Sequence, residues 1–484
     1  MTIMPGRLEA SGPAPRQKKL AESVAAAIAH DIMAMGWPVG CSVGSMQGLL
    51  VRYGVSHAVL REAVRQIEQN GLAVMRRGAG GGLVISQRPE DAAAQTLATY
   101  LQLVDIDVRD LLAASHLAED AIIRAASVRV TAAQAVQLRA LVAQLEDGRL
   151  LEIEMIVRYN RYMAALADAA GNPLLAVMVK AAFRAWTPAL APTAPDIVGM
   201  GTSHSVAFAR RWTELTEAVI AGDAAAGVEL VRAARPDLEE RNARRADERR
   251  RQAQAGAATL IATEILEAVD EGRGRKHSQL VALSIARNIA ANGWPQGRHL
   301  GLEPALLCEY QVSRNIFREA ARILEVHGVC SAKRGQRGGF IVGRPRPDYA
   351  VETAVTALGY MGVTPRQVGE MRMALQPHLG GLAAAAPDRT VEALSEALAA
   401  GAGGEAAAPA RFLHALGAVA DNRAMALMND VVMGVESHLG VERLSAGEAG
   451  VRKAQEALAA IQARDAPMAR RTVLDLCRLD YPAA

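Results

Sequence analysis

The strongest constraint on this chain is an internal repeat with a constant offset. The segment GWPVG at 36–40 returns as GWPQG at 293–297, which is 257 residues later. The same offset relates Arg61-Glu62-Ala63 to Arg318-Glu319-Ala320. Shared composition alone would not keep one register over this distance. Because solenoid repeats are only about 20–50 residues long, this spacing predicts two tandem copies of a larger, multi-element unit.

Composition sets the class of fold and excludes some functions. The chain has 484 residues, which suggests about three domains. Hydrophobic residues make up 51% and aromatic residues only 4%, so we expect a mainly α fold rather than a β-sandwich or barrel. The formal net charge of +3 excludes a general polyanion-binding coat, and any nucleic-acid surface must come from local clusters of basic residues.

The sequence also predicts a soluble protein of a reducing, cytoplasmic compartment. Its four cysteines form no CxxC pair, which argues against a zinc ribbon or a disulfide scaffold. No apolar stretch reaches the roughly 18 residues that a membrane span needs. The N-terminal segment lacks the apolar core of a signal peptide. We therefore expect no contact with a membrane.

Both copies have the same local pattern. In the first copy, Val24, Ile28 and Ile32 have helical spacing, and a second short helix follows. Ser56 is well placed as the N-cap of a third, basic helix. Two short β segments then flank a glycine-rich tip at 77–82. Three helices, a turn and a glycine-tipped hairpin predict a winged helix-turn-helix in each copy.

These segments resemble the DNA-binding domains of the GntR family of bacterial transcription regulators. The family's turn, recognition helix and wing stand here as VSHAVLREAVRQIEQNGL with RRGAGGG, and as VSRNIFREAARILEVHGV with KRGQRGG. The family's usual arginine in the second helix is absent, since Gln47 and Pro304 stand in its place. The resemblance implies two DNA-binding heads, each without one expected contact.

The rest of each copy resembles the all-helical FCD effector domain of the FadR subfamily. The landmarks are LADAAGNPLL at 166–175 and LGAVADNRAM at 416–425. The predicted division is a disordered tail at 1–18, a first head at 19–88, a first helical domain at 89–234, a charged linker at 235–273, a second head at 274–345 and a shortened second helical domain at 346–484.

Arginines on the exposed face of each recognition helix are the strongest candidates for reading DNA. A guanidinium can donate two hydrogen bonds to guanine in the major groove, and basic wing residues suit phosphates or the minor groove. His57 stands where the second copy has Arg314, and a surface histidine without a role is an equal alternative there. The predicted DNA contacts are Ser56, His57, Arg61, Arg65, Arg76, Arg77, Ser313, Arg314, Asn315, Arg318, Arg322, Lys333, Arg334 and Arg337.

The resemblance implies a metal site whose ligands this sequence lacks. Many FadR-like domains hold a divalent metal through one aspartate and three histidines. Six of the eight corresponding side chains here cannot ligate a metal, so we predict no metal and no other cofactor. The eight positions carry Tyr159, Met163, Trp212 and Ala234 in the first copy, and Pro409, Leu413, Ala454 and Leu476 in the second.

The interior of the first helical domain leaves two interpretations open. Tyr159, Met163 and Trp212 either fill the bundle or line a pocket for an apolar or weakly polar effector. In the second copy, the run ALAAGAGGEAAAPA replaces an ordered segment. That bundle is therefore predicted to be a structural partner.

The resemblance implies a sequence-specific transcription regulator, most often a repressor, acting on double-stranded operator DNA with an unknown small-molecule effector. Two heads and two helical domains in one chain predict an intramolecular pseudo-dimer, and a homodimer of whole chains stays open. The alternative is a ligand-sensor or interaction protein that does not bind DNA and partners another regulator. We expect no enzyme, because no nucleophile–base pair, P-loop or dinucleotide fingerprint is evident.

Overall fold

The computed structural model is mainly α-helical, as predicted. The chain divides into two compact units, Met1–Ala93 with Thr356–Gly362, and Ala94–Val355 with Val363–Ala484. None of the described helices is both long and apolar enough to cross a bilayer. The structure describes residues 15–69, 71–76, 78, 81–86, 88–104, 106–144, 152–190, 202–233, 235, 240, 244, 277–333, 339–399, 407–440 and 447–481.

The first head combines three helices with a small antiparallel sheet. Its strands lie in the order β1-β3-β2, and the hairpin register pairs Ala73 with Ile85 and Arg76 with Gly82. The hairpin was predicted, whereas β1 was not. The elements are α1 (Pro15–Ala34), β1 (Ser42–Gly44), α2 (Met46–Tyr53), α3 (His57–Gln69), β2 (Ala73–Arg76) and β3 (Gly82–Ile85).

The second head repeats this order of elements and strands. Its sheet has the order β4-β6-β5, with Cys330 opposite Val342 and Lys333 opposite Gly339. Gly339 has a φ of 133°, and a Cβ there would lie 2.6 Å from the carbonyl oxygen of Gly301, so this strand start requires glycine. The elements are α11 (His277–Ala291), β4 (His299–Gly301), α12 (Glu303–Glu309), α13 (Arg314–Val326), β5 (Cys330–Lys333) and β6 (Gly339–Val342).

A connecting helix and a bundle follow each head. In the first helical domain these are α4 (Pro89–Leu103), α5 (Val108–Arg129), α6 (Ala132–Ala143), α7 (Glu152–Ala170), α8 (Pro173–Leu190), α9 (Thr202–Ile220) and α10 (Ala224–Arg232). In the second they are α14 (Asp348–Tyr360), α15 (Pro365–Ala383), α16 (Asp388–Ala399), α17 (Ala408–Val419), α18 (Arg423–Leu439), α19 (Glu448–Gln462) and α20 (Ala466–Asp480). The second bundle is shorter at α17, which has 12 residues where α7 has 19.

The two bundles pack on each other through reciprocal contacts. Asn172 Nδ2 donates to the carbonyl oxygen of Gln367 at 2.8 Å, and Asn422 Nδ2 donates to the carbonyl oxygen of Asp110 at 3.3 Å. Asp110 and Gln367 are related by the 257-residue offset, and the two asparagines occupy the matching landmarks. The contact therefore has the pattern of a two-fold interface, in which each bundle donates one asparagine hydrogen bond and accepts the matching one.

One ion pair breaks this symmetry. Arg129 makes a two-pronged contact with the Glu370 carboxylate, in which Nη1 lies 3.0 Å from Oε2 and Nη2 contacts Oε1. The positions related by the 257-residue offset are Ala386 and Ala113, which carry no charge. The interface is therefore pseudo-symmetric, and the Arg129–Glu370 pair has no charged counterpart at the positions related by the offset.

The interior of the second bundle holds a buried ionic cluster. Arg372 is fully buried, and its Nη1 lies 2.8 Å from carboxylate oxygens of both Glu436 and Asp480. Its Nε donates to Gln376 Oε1 at 2.8 Å, and the Tyr481 hydroxyl donates to Glu436 at 2.8 Å. One guanidinium thus pairs with two carboxylates that come from different helices.

We predict that Arg372→Met destabilises the second bundle by about 3–5 kcal/mol, because two buried carboxylates lose their cation. The measurement is urea unfolding followed by helical circular dichroism. The matched control is Arg478→Met on α20, where the side chain is 60% exposed and pairs with Asp475 at 3.6 Å. An exposed pair of this kind contributes at most about 1 kcal/mol. Equal, small effects of both substitutions would contradict the prediction.

Candidate functional site

Each recognition helix begins at a serine cap. Ser56 Oγ accepts from the amide of Val59, and Ser313 Oγ accepts from the amide of Ile316, both at 3.4 Å. The caps stop the preceding turn at the same place in both heads and satisfy an amide that would otherwise lack a helical partner. They fix where the polar face of α3 and α13 starts.

In the first head, the predicted contact residues lie on the outer face. His57, Arg61 and Arg65 on α3 are exposed, and so is Arg76 at the end of β2. Arg65 forms a bidentate pair with Glu62, with Nη2 2.6 Å and Nε 3.0 Å from the carboxylate oxygens. The acidic residue of the REA motif therefore pairs one turn along the helix and not with its neighbour Arg61.

In the second head, a carboxylate from α12 lies beside two of these side chains. Glu303 Oε1 is 3.5 Å from Arg318 Nε and 3.8 Å from Arg314 Nε, while both arginines remain about two-thirds exposed. The matching position in the first head is Met46. Among the described residues of the two heads, an acid thus lies beside two candidate DNA-contacting arginines only in the second head.

Of the six remaining predicted DNA contacts, the structure describes three. Asn315, Arg322 and Lys333 are exposed. Pro304 lies in the first turn of α12, where its missing amide hydrogen costs no helical bond. The predicted wing residues Arg77, Arg334 and Arg337 lie outside the described residues.

In the first helical domain, the structure brings the predicted pocket residues together. The rings of Tyr159 and Trp212 are 4.8 Å apart between centroids, and Met163 is buried on the same helix as Tyr159. Phe183, which the sequence analysis did not single out, contacts Tyr159 edge-on at 5.3 Å and Trp186 at 5.2 Å. Helices α7, α8 and α9 thus contribute to one aromatic cluster, defined as Tyr159, Tyr162, Phe183, Trp186 and Trp212.

A buried carboxylate borders the aromatic cluster. Glu119 on α5 accepts from the hydroxyls of Ser115 and Tyr159, both at 3.3 Å, and lies 3.9 Å from Arg235. Arg235 pairs more closely with Asp120, at 2.5 Å. Burial raises the pKa of Glu119 to about 7, against the opposing effect of Arg235. This carboxyl group can therefore change its charge near neutral pH.

The second bundle differs at the positions that match this site. Arg372 and Gln376 stand where the first bundle has Ser115 and Glu119. The Nε and Nη1 atoms of this arginine bond within the ionic cluster described above. Leu413, Ala454 and Leu476, at the predicted pocket positions of the second copy, are fully buried.

The described residues do not fit the metal site that the family resemblance implies. Tyr159, Met163 and Trp212 pack against aromatic and aliphatic neighbours and offer no set of nitrogen or carboxylate ligands. Within the described ranges, no group of three or more histidine, cysteine, aspartate or glutamate side chains could hold a metal ion. The absence of a metal in the protein stays a prediction.

Comparison with known proteins finds a similarity to one domain family in part of the chain. Residues 110–234 match the FCD domain. Similar solved structures include a Streptococcus agalactiae GntR, which is 19% identical over 41% of this chain and 97% of its own, with a TM-score of 0.33. Another is E. coli McbR/YncC, 14% identical over 46% of this chain and 96% of its own, with a TM-score of 0.23. No curated protein matches the sequence.

The raised pKa of Glu119 predicts a pH-dependent stability. The folded state binds more protons than the unfolded state between the ordinary pKa of 4.5 and about 7, so stability falls as the pH rises through this window. The loss is at most about 3 kcal/mol. Glu119→Gln should remove it, because glutamine accepts the same two hydroxyl hydrogen bonds without a charge.

The measurement is urea unfolding of wild type and variant at pH values of about 5 and about 8. The expected result is a smaller loss of stability in Glu119→Gln than in wild type. Glu229→Gln, which changes an exposed carboxylate on α10 of the same domain, should behave like wild type. A pH dependence that Glu119→Gln leaves unchanged would show that this carboxyl group is not the one that titrates.

Proposed function

We propose that the chain is a sequence-specific DNA-binding transcription regulator of the GntR type and FadR subfamily. Its two heads act as winged helix-turn-helix domains, and it works as a repressor with a small-molecule effector. The observation that carries the proposal is the pair of serine-capped helices, α3 and α13. Each presents exposed arginines beside a three-stranded sheet. A helix with this polar face fits the major groove of DNA.

The FCD match supports the regulatory part of the proposal. Residues 110–234 are similar to this domain, and they contain the aromatic cluster and Glu119. A mostly apolar interior with a few converging polar groups is typical of sites for small ligands. We propose this region as the effector site, and the second bundle, with its internal ionic cluster, as a structural partner.

The reciprocal contacts of Asn172 and Asn422 support a single-chain pseudo-dimer. An ordinary dimeric regulator uses the same surface of two identical subunits, whereas here two halves of one chain supply the two sides. A covalent connection gives the second head an effective concentration of about millimolar, provided that the linker spans the sites. One chain can then occupy an operator without a second chain.

The two heads differ where bases would be read. The second head presents Arg314 and Asn315, with Glu303 beside Arg314, while the first presents His57 and Ala58. Arginine prefers guanine and asparagine prefers adenine, whereas alanine offers only an apolar contact to thymine. We propose that the second head contributes most of the sequence specificity and that the two half-sites differ.

We expect Arg318→Ala to weaken specific DNA binding by about 1–3 kcal/mol if the guanidinium reads a base. Arg61→Ala should weaken it through the other half-site. The measurement is the dissociation constant for a duplex selected by the wild-type protein from random DNA, at fixed salt. Arg210→Ala, on α9 of the first helical domain, removes an exposed arginine of equal charge and should have little effect. Wild-type affinity in both head variants would show that these two helices do not read the DNA, whereas failure of the wild-type protein to select any duplex would favour the alternative, a sensor that does not bind DNA.

Removal of the Glu303 carboxylate should change the affinity for non-specific DNA and the specificity for the operator in opposite directions. Without its carboxylate, Arg314 and Arg318 lose the group that holds them together, and both become available to phosphates. Glu303→Gln should therefore bind non-specific DNA more tightly, with a steeper dependence on salt, and should discriminate less well against altered half-sites. Glu319→Gln removes an equal charge from α13 and serves as control. The same loss of discrimination in both variants would show that Glu303 acts only through net charge.

A further inference from the structure

The end of the first connecting helix contacts the head that follows it in sequence. Leu103, the last residue of α4, is fully buried in the apolar core of the second head, together with Phe317 and Leu324 of α13. One turn earlier, the ring of Tyr100 lies 6.1 Å from the ring of His327. The helix that continues from the first head thus ends against the second.

The matching residue of the other copy behaves in the same way. Tyr360 ends α14, lies 257 residues after Leu103, and packs against the core of the first head. Each connecting helix therefore places its final residue in the head of the opposite copy. Because it recurs at the offset of the repeat, this crossed packing is a shared feature of the two copies.

The same end of α4 is bonded to the helix that carries part of the aromatic cluster. Gln102 Nε2 donates to the carbonyl oxygens of Arg184 at 2.6 Å and Ala185 at 3.2 Å. These two residues lie between Phe183 and Trp186 on α8. A shift of α8 that moves these rings would also move the carbonyl oxygens that hold Gln102.

The contact with the second head is made at the end of its recognition helix. His327 follows α13, its amide donates to the carbonyl oxygen of Ile323 at 3.3 Å, and its side chain is almost fully buried. The His327 ring contacts the rings of both Tyr100 and Tyr349, with centroid separations of 6.1 and 5.4 Å. The last turn of α4 is therefore part of the packing around the C-terminal end of α13.

We propose that the state of the aromatic cluster in the first helical domain is transmitted through Gln102 and Tyr100 to the recognition helix of the second head, and not to the head that precedes it in sequence. The inference rests on the proposed function for the roles of effector site and DNA-binding head. The effector then regulates the head that carries Arg314 and Arg318. The second head is then both the regulated head and the one that makes most of the base contacts.

The test is hydrogen exchange of the full chain without DNA, comparing residues 320–327 of the second head with residues 63–68 of the first. Tyr159→Phe perturbs the aromatic cluster by removing the hydroxyl that donates to Glu119. We expect it to change the exchange protection of 320–327 by about threefold or more and to leave 63–68 unchanged. Adding Gln102→Ala should abolish the change. Gln95→Ala, an α4 glutamine bonded within its own helix to Thr99, should not.

Three outcomes would overturn the proposal: no change at 320–327, an equal change in both heads, or a change that survives Gln102→Ala. Phe183→Leu perturbs the same cluster from α8 and repeats the test if Tyr159→Phe does not fold. Because no DNA is present, failure here is distinct from failure of the proposed function. Failure of the proposed function would appear instead as failure of the wild-type protein to select any duplex from random DNA.

Discussion

The pairing of the two helical domains depends on two asparagines that each serve both sides of the interface. Asn172 Oδ1 accepts from the amide of Leu174 at 3.1 Å, and Asn422 Oδ1 accepts from the amide of Met425 at 2.9 Å, so each side chain caps its own helix. The amide nitrogen of each side chain donates to a backbone carbonyl of the opposite bundle. Helix start and domain pairing are therefore coupled at one residue on each side of the interface.

Away from this interface, the two halves differ in the interiors of their bundles and in their heads. In the second bundle, Arg372 pairs with both Glu436 and Asp480, and removal of the arginine would leave two buried carboxylates without their cation. In the first bundle, Glu119 lies 3.9 Å from Arg235, the nearest paired cation in the described part of the chain, and borders the aromatic cluster. The heads diverge as well, since Glu303 has no acidic counterpart at Met46. We propose that one copy supplies the ligand site and the other a structural support.

The sequence predicted the elements whose signals are local. The N-caps Ser56 and Ser313 and the hairpin at 73–85 follow from residue type and spacing, and the structure has them. Strand β1 escaped prediction because its three residues are too few for an alternating pattern, and its existence depends on pairing with β3. The sequence signal that marks Glu119 is a carboxylate within the apolar stripe of α5. The packing of Leu103 against the second head depends on tertiary contacts that no local pattern encodes.

The central claim is that one chain supplies both halves of a DNA-binding dimer. The most direct test is the mass of the complex between the full chain and duplex DNA selected from a random pool, measured by sedimentation or native mass spectrometry. We expect one chain per duplex, bound to a site whose two halves differ in sequence. Two chains bound to a perfect palindrome, with the second heads paired, would contradict it.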